Sequence, residues 1–269
     1  MLSAKPWRGE IVIWFCAAQL VSLCLGLTLI GLLQKAGFAA FQPPAGSGAV
    51  VIGTLAFQGM TWVLIFIFLR LHQVNWRDAF GWRPAEWRHI WFPTVPVVIG
   101  FLPVAWLLQA TSMHLLTKMG WPPEEEAAVT VLTGVKAWWL RIYLGLFTVA
   151  IAPVAEEFIF RGLLYPSVKQ FRWPELARFI RQLGWPRLAW FFRQRAWRMF
   201  AWLGVSFLFA LIHWDAAAFV ALFLLALVLT WLYEKTDSLL APITAHALFN
   251  AVNLILLCFF QSELKPGSP

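Results

Sequence analysis

Charged side chains are scarce in this chain of 269 residues. They make up 13% of it, whereas hydrophobic residues make up 61% and the mean hydropathy is +0.70. Soluble domains devote about a quarter of their residues to Asp, Glu, Lys and Arg, so this composition excludes an ordinary soluble protein. Cysteine is also rare: Cys16, Cys24 and Cys258 lie inside apolar runs without paired spacing. That placement argues against a disulfide framework and against a cysteine-ligated metal.

Apolar runs long enough to cross a bilayer recur along the chain. A span needs about 20 residues, because the hydrocarbon core is about 30 Å thick and a helix rises about 1.5 Å per residue. We predict an all-α, polytopic transmembrane helix bundle of seven spans, or of eight if Pro153 divides the fourth run. The predicted spans are Ile11–Leu33, Ala49–Leu69, Ile90–Leu116, Ala137–Ala155, Met199–Ile212, Ala216–Tyr233 and Leu239–Phe260.

The positive charge is concentrated in one segment. The net charge is +8, and residues 169–198 carry eight Lys or Arg side chains against a single acid, Glu175. Because basic loops remain on the cytoplasmic side of a membrane, we predict that this segment is cytoplasmic, together with the smaller basic loop at residues 77–88. The acidic loop Glu124–Glu126 is predicted on the opposite side. We expect one transmembrane domain over residues 1–269, with a motif-bearing core over about 137–260 and a basic insertion over about 169–198.

Tryptophan and phenylalanine alternate with arginine in this insertion. Such a pattern is found where bases stack in a nucleic-acid site, but it is also what an interfacial helix needs among anionic headgroups. In a chain this apolar we predict membrane lipids, and no nucleic acid, as the partner of the insertion.

Ionisable residues inside spans are costly, so each is a hypothesis about function. Glu156 and Glu157 are adjacent, and Arg161 follows the second by four residues. On a helix Glu157 and Arg161 share a face and can pair, while Glu156 points about 100° away. An unpaired Glu156 in a low-dielectric site would be a general base, and a paired Glu157 would be structural. Taken alone, the group is more typical of a solvated helix end.

Two further polar groups lie on later apolar runs. His213 ends a short run four residues after Phe209, where a lone histidine is usually a packing residue. His246, Asn250 and Asn253 share one helical face, which must point inward, either to bind a neighbouring helix or to do chemistry. Together with the carboxylates, these groups are what water activation and oxyanion stabilisation require.

In this order, and each on its own apolar helix, the three groups resemble the CAAX-processing and bacteriocin-processing (CPBP) family of intramembrane endopeptidases, which includes the type II CAAX prenyl protease. The motifs read Glu156-Glu157-Phe-Ile-Phe-Arg161, Phe209-Ala-Leu-Ile-His213 and His246-Ala-Leu-Phe-Asn250. The resemblance covers roughly residues 137–260, and the long basic insertion departs from it.

The resemblance implies that Glu156 with His213 positions and deprotonates the attacking water. It also implies that His246 with Asn250 stabilises the oxyanion. The predicted catalytic set is Glu156, Glu157, His213, His246 and Asn250. The predicted supporting set is Arg161, Phe209 and Asn253.

The catalytic type stays open between two alternatives. We favour a metal-free glutamate mechanism because His-Glu-x-x-His is absent, but Glu156, His213 and His246 are also a plausible zinc set with an open position. The predicted substrate is a membrane-anchored protein or peptide, with the site open to the cytoplasm of a bacterial inner or cell membrane. Two other functions use the same residues: a proton- or ion-coupled transporter, and a catalytically silent immunity or scaffold protein.

Overall fold

A computed structural model of the chain describes residues 2–42, 46–81, 87–122, 138–170, 174–194 and 196–260. Over these ranges every regular element is a helix and there is no strand, so the all-α prediction is confirmed. In chain order the helices are α1 (Gly9–Lys35), α2 (Ser47–Leu71), α3 (Trp76–Phe80), α4 (Trp87–Lys118), α5 (Trp138–Gln170), α6 (Pro174–Gln182), α7 (Pro186–Gln194), α8 (Ala196–Leu211), α9 (Phe219–Thr236) and α10 (Leu240–Phe260).

Within the described residues, six helices are long and apolar enough to cross a membrane: α1, α2, α4, α5, α9 and α10. They fall on six of the predicted spans. The remaining predicted span, Met199–Ile212, falls on α8, which has 16 residues and is shorter than the usual span. The chain is an integral, multi-pass membrane protein, while the count of seven or eight spans stays a prediction.

Helix α5 continues through Pro153 to Gln170. A proline lacks the backbone N–H and crowds the carbonyl of the preceding turn, which would end an ordinary α-helix. A π-helical turn at Phe147–Ile151 stands just before Pro153, and this wider turn accommodates the mismatch. A second π-helical segment follows at Phe158–Leu164. The two π segments therefore bracket Glu156 and Glu157.

Buried apolar side chains form two clusters. One lies where α1, α2, α5 and α8 meet, with residues of α9, and the other lies between α4, α9 and α10. Helix α1 also packs with α2. The α1–α2 pair contacts α5 through aromatic rings, since Phe15 and Phe68 both lie against Phe158. The outward faces carry exposed large apolar side chains, among them Trp14 and Phe92, as lipid-facing surfaces do.

Both ends of the basic insertion are bound to one carboxylate. Glu234 of α9 accepts a hydrogen bond from Lys169 at 2.7 Å, and it also pairs with the guanidinium of Arg198. The hydroxyl of Tyr165 donates to the same carboxylate. Lys169 lies in the last turn of α5 and Arg198 in the first turn of α8, so this cluster joins the two flanks of the insertion to the bundle. The acidic loop Glu124–Glu126 lies outside the described residues, and its side of the membrane stays a prediction.

Candidate active site

Three elements that are distant in sequence bring the predicted residues together. Glu156 lies on α5 between the two π segments, His213 lies in the turn after α8, and His246 lies on α10. The Oε2 atom of Glu156 is 3.8 Å from Nε2 of His246 and 4.0 Å from Nε2 of His213. One carboxylate therefore faces two imidazole nitrogens, inside a bundle whose other interior groups are mostly apolar.

Glu157 is fully buried and joins two helices. Its Oε1 atom accepts from Nη1 of Arg161 at 2.8 Å and lies 2.8 Å from Nδ1 of His246. Because this carboxylate is an acceptor paired with a guanidinium, the hydrogen of the second bond belongs to Nδ1 of His246. In the neutral ring Nε2 then carries a lone pair, and that lone pair faces Glu156.

Arg161 is fully buried, yet its guanidinium has a partner on every side. Besides Glu157, it donates to the carbonyl of Ala226 at 3.0 Å and to the hydroxyl of Thr230 at 3.5 Å. Its planar group also stacks over the ring of Phe209, 4.6 Å from the ring centre. A buried charge persists only when it is paired and hydrogen-bonded, and these contacts meet that condition.

The orientation of His213 is set by the helix end that carries it. Its Nδ1 lies 2.7 Å from the carbonyl oxygen of Phe209, which can only accept, so Nδ1 holds the hydrogen and Nε2 faces Glu156. The ring of Phe209 is fully buried and packs against both histidines, at 4.7 Å from His213 and 5.7 Å from His246. Phe209 thus forms a common wall for the two imidazoles.

The resulting site concentrates hydrogen-bond acceptors. Oε2 of Glu156 is buried and has no hydrogen-bond partner among the described residues, and Nε2 of each imidazole adds a lone pair when the ring is neutral. Acceptors in such proximity favour a species that donates hydrogens or carries positive charge. Over the described ranges, no group of three or more His, Cys, Asp or Glu side chains has an arrangement that could hold a metal ion.

Asn250 and Asn253 take different places although both lie on α10. The side-chain amide of Asn250 donates to the carbonyl of Thr148, in the first π segment, at 3.0 Å. An amide has two N–H groups, so one bond to Thr148 leaves a second donor. Asn253 accepts from the indole of Trp106 at 2.9 Å and so binds α10 to α4. It supports the packing and does not join the carboxylate–histidine group.

Comparison with known proteins gives one finding. Residues 137–252 match the sequence model of a family described as type II CAAX prenyl endopeptidase Rce1-like. This segment is an Rce1-like domain. No curated protein and no solved structure matches the chain.

The Rce1-like domain covers less than half of the chain but contains all five predicted catalytic residues. The family relationship indicated by the motifs is therefore confirmed, and it implies a CAAX-protease-like membrane endopeptidase in general terms. Such an enzyme acts on membrane-associated substrates. The residue roles and the catalytic type stay predictions.

Sequence reasoning missed two features of the Rce1-like domain. It assigned Glu157 a partner on its own helix and did not foresee the bond to His246, because nothing in a sequence reports contacts across 89 residues. It also missed Thr230, which accepts from Arg161 while fully buried within an apolar span. A polar residue in the middle of α9 was the signal that could have identified it.

Proposed function

We propose that this protein hydrolyses a peptide bond of a membrane-anchored protein or peptide, with water activated by Glu156. One observation carries the proposal: Oε2 of Glu156 lies within 4.0 Å of Nε2 of both His213 and His246, and it has no other partner in the described part of the chain. The family of the domain supports the same reaction class.

In the first step a water molecule binds between Glu156 and His213. An oxygen placed about 2.8 Å from each group fits this separation, with one hydrogen directed to Oε2 and the other to Nε2. Glu156 takes the first proton while the water oxygen attacks the substrate carbonyl. A C–O bond forms, and the negative charge moves to the former carbonyl oxygen.

The oxyanion then requires donors. The second N–H of Asn250 is one of them, because its first is bound to Thr148. His246 can donate from Nε2 only if it enters the reaction already protonated on both ring nitrogens, since its Nδ1 hydrogen is directed at Glu157 and the proton of the attacking water goes to Glu156. The buried Glu157 carboxylate stabilises that charged form, in the way that a carboxylate orients and stabilises a catalytic imidazole. In the last step Glu156 returns its proton to the leaving nitrogen, and the C–N bond breaks.

The position of the site along α5 indicates how substrate reaches it. Glu156 precedes Lys169 by 13 residues, which is about 20 Å along a helix. We infer that the cluster at Lys169, Arg198 and Glu234 lies near one membrane surface, because charged side chains are costly at membrane depth, and that the site lies deeper in the bilayer. We assign that surface to the cytoplasmic side because of its basic insertion. A substrate already anchored in the membrane is the kind that can present a peptide bond at this depth.

The test uses purified full-length protein in detergent and a set of membrane-tethered peptide reporters. We expect cleavage by wild type and its loss in Glu156→Ala and in His213→Ala. The matched controls are Glu10→Ala and His114→Ala, whose side chains are exposed and remote from the site in sequence. Loss of cleavage in the controls as well would contradict the proposal.

A chelator distinguishes the two catalytic types. Cleavage that persists after extensive chelation supports the metal-free mechanism that we propose. Cleavage that is lost and then restored by zinc would replace it with a zinc mechanism using Glu156, His213 and His246. If no reporter is cleaved by folded wild type while protons or ions move through reconstituted liposomes in a Glu156-dependent way, the protease proposal is wrong.

A further inference from the structure

The segment before α1 lies outside the Rce1-like domain in sequence but against it in space. The backbone N–H and the hydroxyl of Ser3 donate to Oδ1 of Asp237, at 3.2 and 2.9 Å, and Lys5 lies 3.5 Å from the same atom. At the other end, the backbone N–H of Arg8 donates to Nε2 of His72 at 3.0 Å. Residues 3–8 are thus bound at both ends. The first end is bound to the turn between α9 and α10, and the second end is bound to the end of α2.

Between these fixed ends, Trp7 reaches α5. Its indole Nε1–H donates to the carbonyl oxygen of Gly162 at 2.6 Å. The ring packs edge-on against Phe68 at 5.0 Å and against His72 at 5.3 Å, which holds the indole in this orientation. Gly162 belongs to the second π segment and is the residue that follows Arg161.

The carbonyl of Gly162 accepts this hydrogen bond inside the bundle. Gly162 is buried, so water does not readily bind its carbonyl. Pro166, four positions later, has no N–H and cannot donate an α-helical hydrogen bond to it. The indole of Trp7 therefore gives this carbonyl a donor from outside the helix.

The carbonyl that Trp7 binds lies next to the hydrogen-bonded residues of the site. Arg161 donates to Glu157 at 2.8 Å, and Glu157 binds Nδ1 of His246 at 2.8 Å. A rotation of the π segment at Gly162 would therefore move the guanidinium and, through Glu157, the imidazole. The packing of α1 and α2 on α5 does not depend on the indole N–H, because Phe15 and Phe68 contact Phe158 without it.

We propose that Trp7 is a positioning residue for the active site. By binding the carbonyl of Gly162, its indole N–H holds the second π segment in the geometry that orients Arg161, Glu157 and His246. The inference rests on the proposed function for its effect on turnover. By this inference the N-terminal segment, which lies outside the residues matched by the family model, contributes to the function of the Rce1-like domain.

The first experiment compares Trp7→Phe with wild type in the full-length protein. Phenylalanine keeps an aromatic ring and removes the N–H. We expect kcat for a cleaved reporter to fall about tenfold, the equivalent of one hydrogen bond, with KM nearly unchanged. The matched control is Trp14→Phe, the same change at a residue of α1 that is 73% exposed, and it should leave kcat unchanged. An unchanged kcat in Trp7→Phe would overturn the inference.

A spectroscopic measurement tests the inference without any substrate. The chain has five histidines, and the ring nitrogens of His246 can be followed by nitrogen-15 NMR of histidine-labelled protein in nanodiscs. Trp7→Phe should shift the His246 signals, and Trp14→Phe should not. If wild type cleaves nothing but the shift is observed, the proposed function fails while the positioning role stands. If the His246 signals do not move, the positioning role is wrong whatever the activity.

Discussion

The two adjacent carboxylates of α5 differ in what they contact. The Glu156 side chain is 14% exposed and faces imidazole nitrogens at 3.8 and 4.0 Å, whereas Glu157 is fully buried between Arg161 and His246. Glu156→Gln should abolish cleavage and leave stability nearly unchanged, because no buried charge loses its partner. Glu157→Gln should lower the free energy of unfolding by about 3–5 kcal/mol, because Arg161 remains as an unpaired buried cation. Chemical denaturation and reporter cleavage measure the two effects.

A double variant serves as the control for this comparison. Glu157→Gln combined with Arg161→Met removes both charges, and an apolar replacement of a buried ion pair is often tolerated. We expect most of the lost stability to return. Activity should stay low, because His246 lacks the carboxylate that orients it. Equal stability in Glu156→Gln and Glu157→Gln would contradict the different assignments of the two residues.

Phe209 connects the two imidazoles with the buried guanidinium. It is fully buried and touches His213, His246 and Arg161. Phe209→Ala should cost about 3–5 kcal/mol of stability by leaving a cavity. Phe209→Leu, which retains more volume, should keep the fold but lower kcat, because the flat wall against both rings is lost. Thermal unfolding and steady-state kinetics check this pair, and a fully active Phe209→Leu would show that the wall is not needed.

At the scale of one residue, sequence reasoning succeeds where the contact is local. The pairing of Glu157 with Arg161 follows from their spacing of four, and the structure contains it at 2.8 Å. The bond between Glu157 and His246 depends on how α5 and α10 pack, and spacing carries no information about that. The same holds for Trp7, since no local pattern connects it with Gly162.

Among the elements, α5 departs furthest from its predicted bounds. Hydropathy ends the span at Ala155, where Glu156, Glu157 and Arg161 interrupt the apolar run, but the helix continues to Gln170. It can do so because those polar side chains bind one another and α10 rather than lipid. The π segments were not predicted either, because composition reports burial and not the pattern of backbone hydrogen bonds.

The cluster around Glu234 is an element-scale feature that should govern stability rather than turnover. One carboxylate accepts from Tyr165, Lys169 and Arg198 and so joins the ends of α5, α8 and α9. Glu234→Gln keeps the shape and removes the charge. We expect a loss of about 1–3 kcal/mol in the free energy of unfolding and nearly unchanged kcat in the folded fraction, since the site is about 20 Å away along α5.

The matched control is Glu10→Gln, which removes a carboxylate that is 67% exposed and pairs with the exposed Arg8. Surface pairs of this kind contribute little, so its stability should stay within about 0.5 kcal/mol of wild type. A Glu234→Gln variant that is as stable as wild type but inactive would show that this cluster acts in catalysis rather than in stability.

For the whole molecule, composition and motif order were sufficient for the fold class and the family. The 61% hydrophobic content indicated a membrane protein, and three short motifs on separate helices indicated the family whose model matches residues 137–252. The motifs carry no information on residues before 137, so the N-terminal segment had no assigned role. Its contacts with Asp237, His72 and Gly162 become evident only when the helices are packed together.

The basic insertion predicts how the whole chain is oriented in the membrane. Met119, at the end of α4, and Gln182, at the end of α6, are exposed and lie on the two sides of α5 in sequence. With Cys16, Cys24 and Cys258 replaced by Ser, Gln182→Cys should react with an impermeant maleimide only from the cytoplasmic face, because residues 169–198 are strongly basic. Met119→Cys should react only from the opposite face. If both positions are labelled from the same face, α5 does not cross the bilayer. If Gln182→Cys is labelled only from the outer face and Met119→Cys only from the cytoplasmic face, α5 crosses the bilayer but the insertion lies outside the cell.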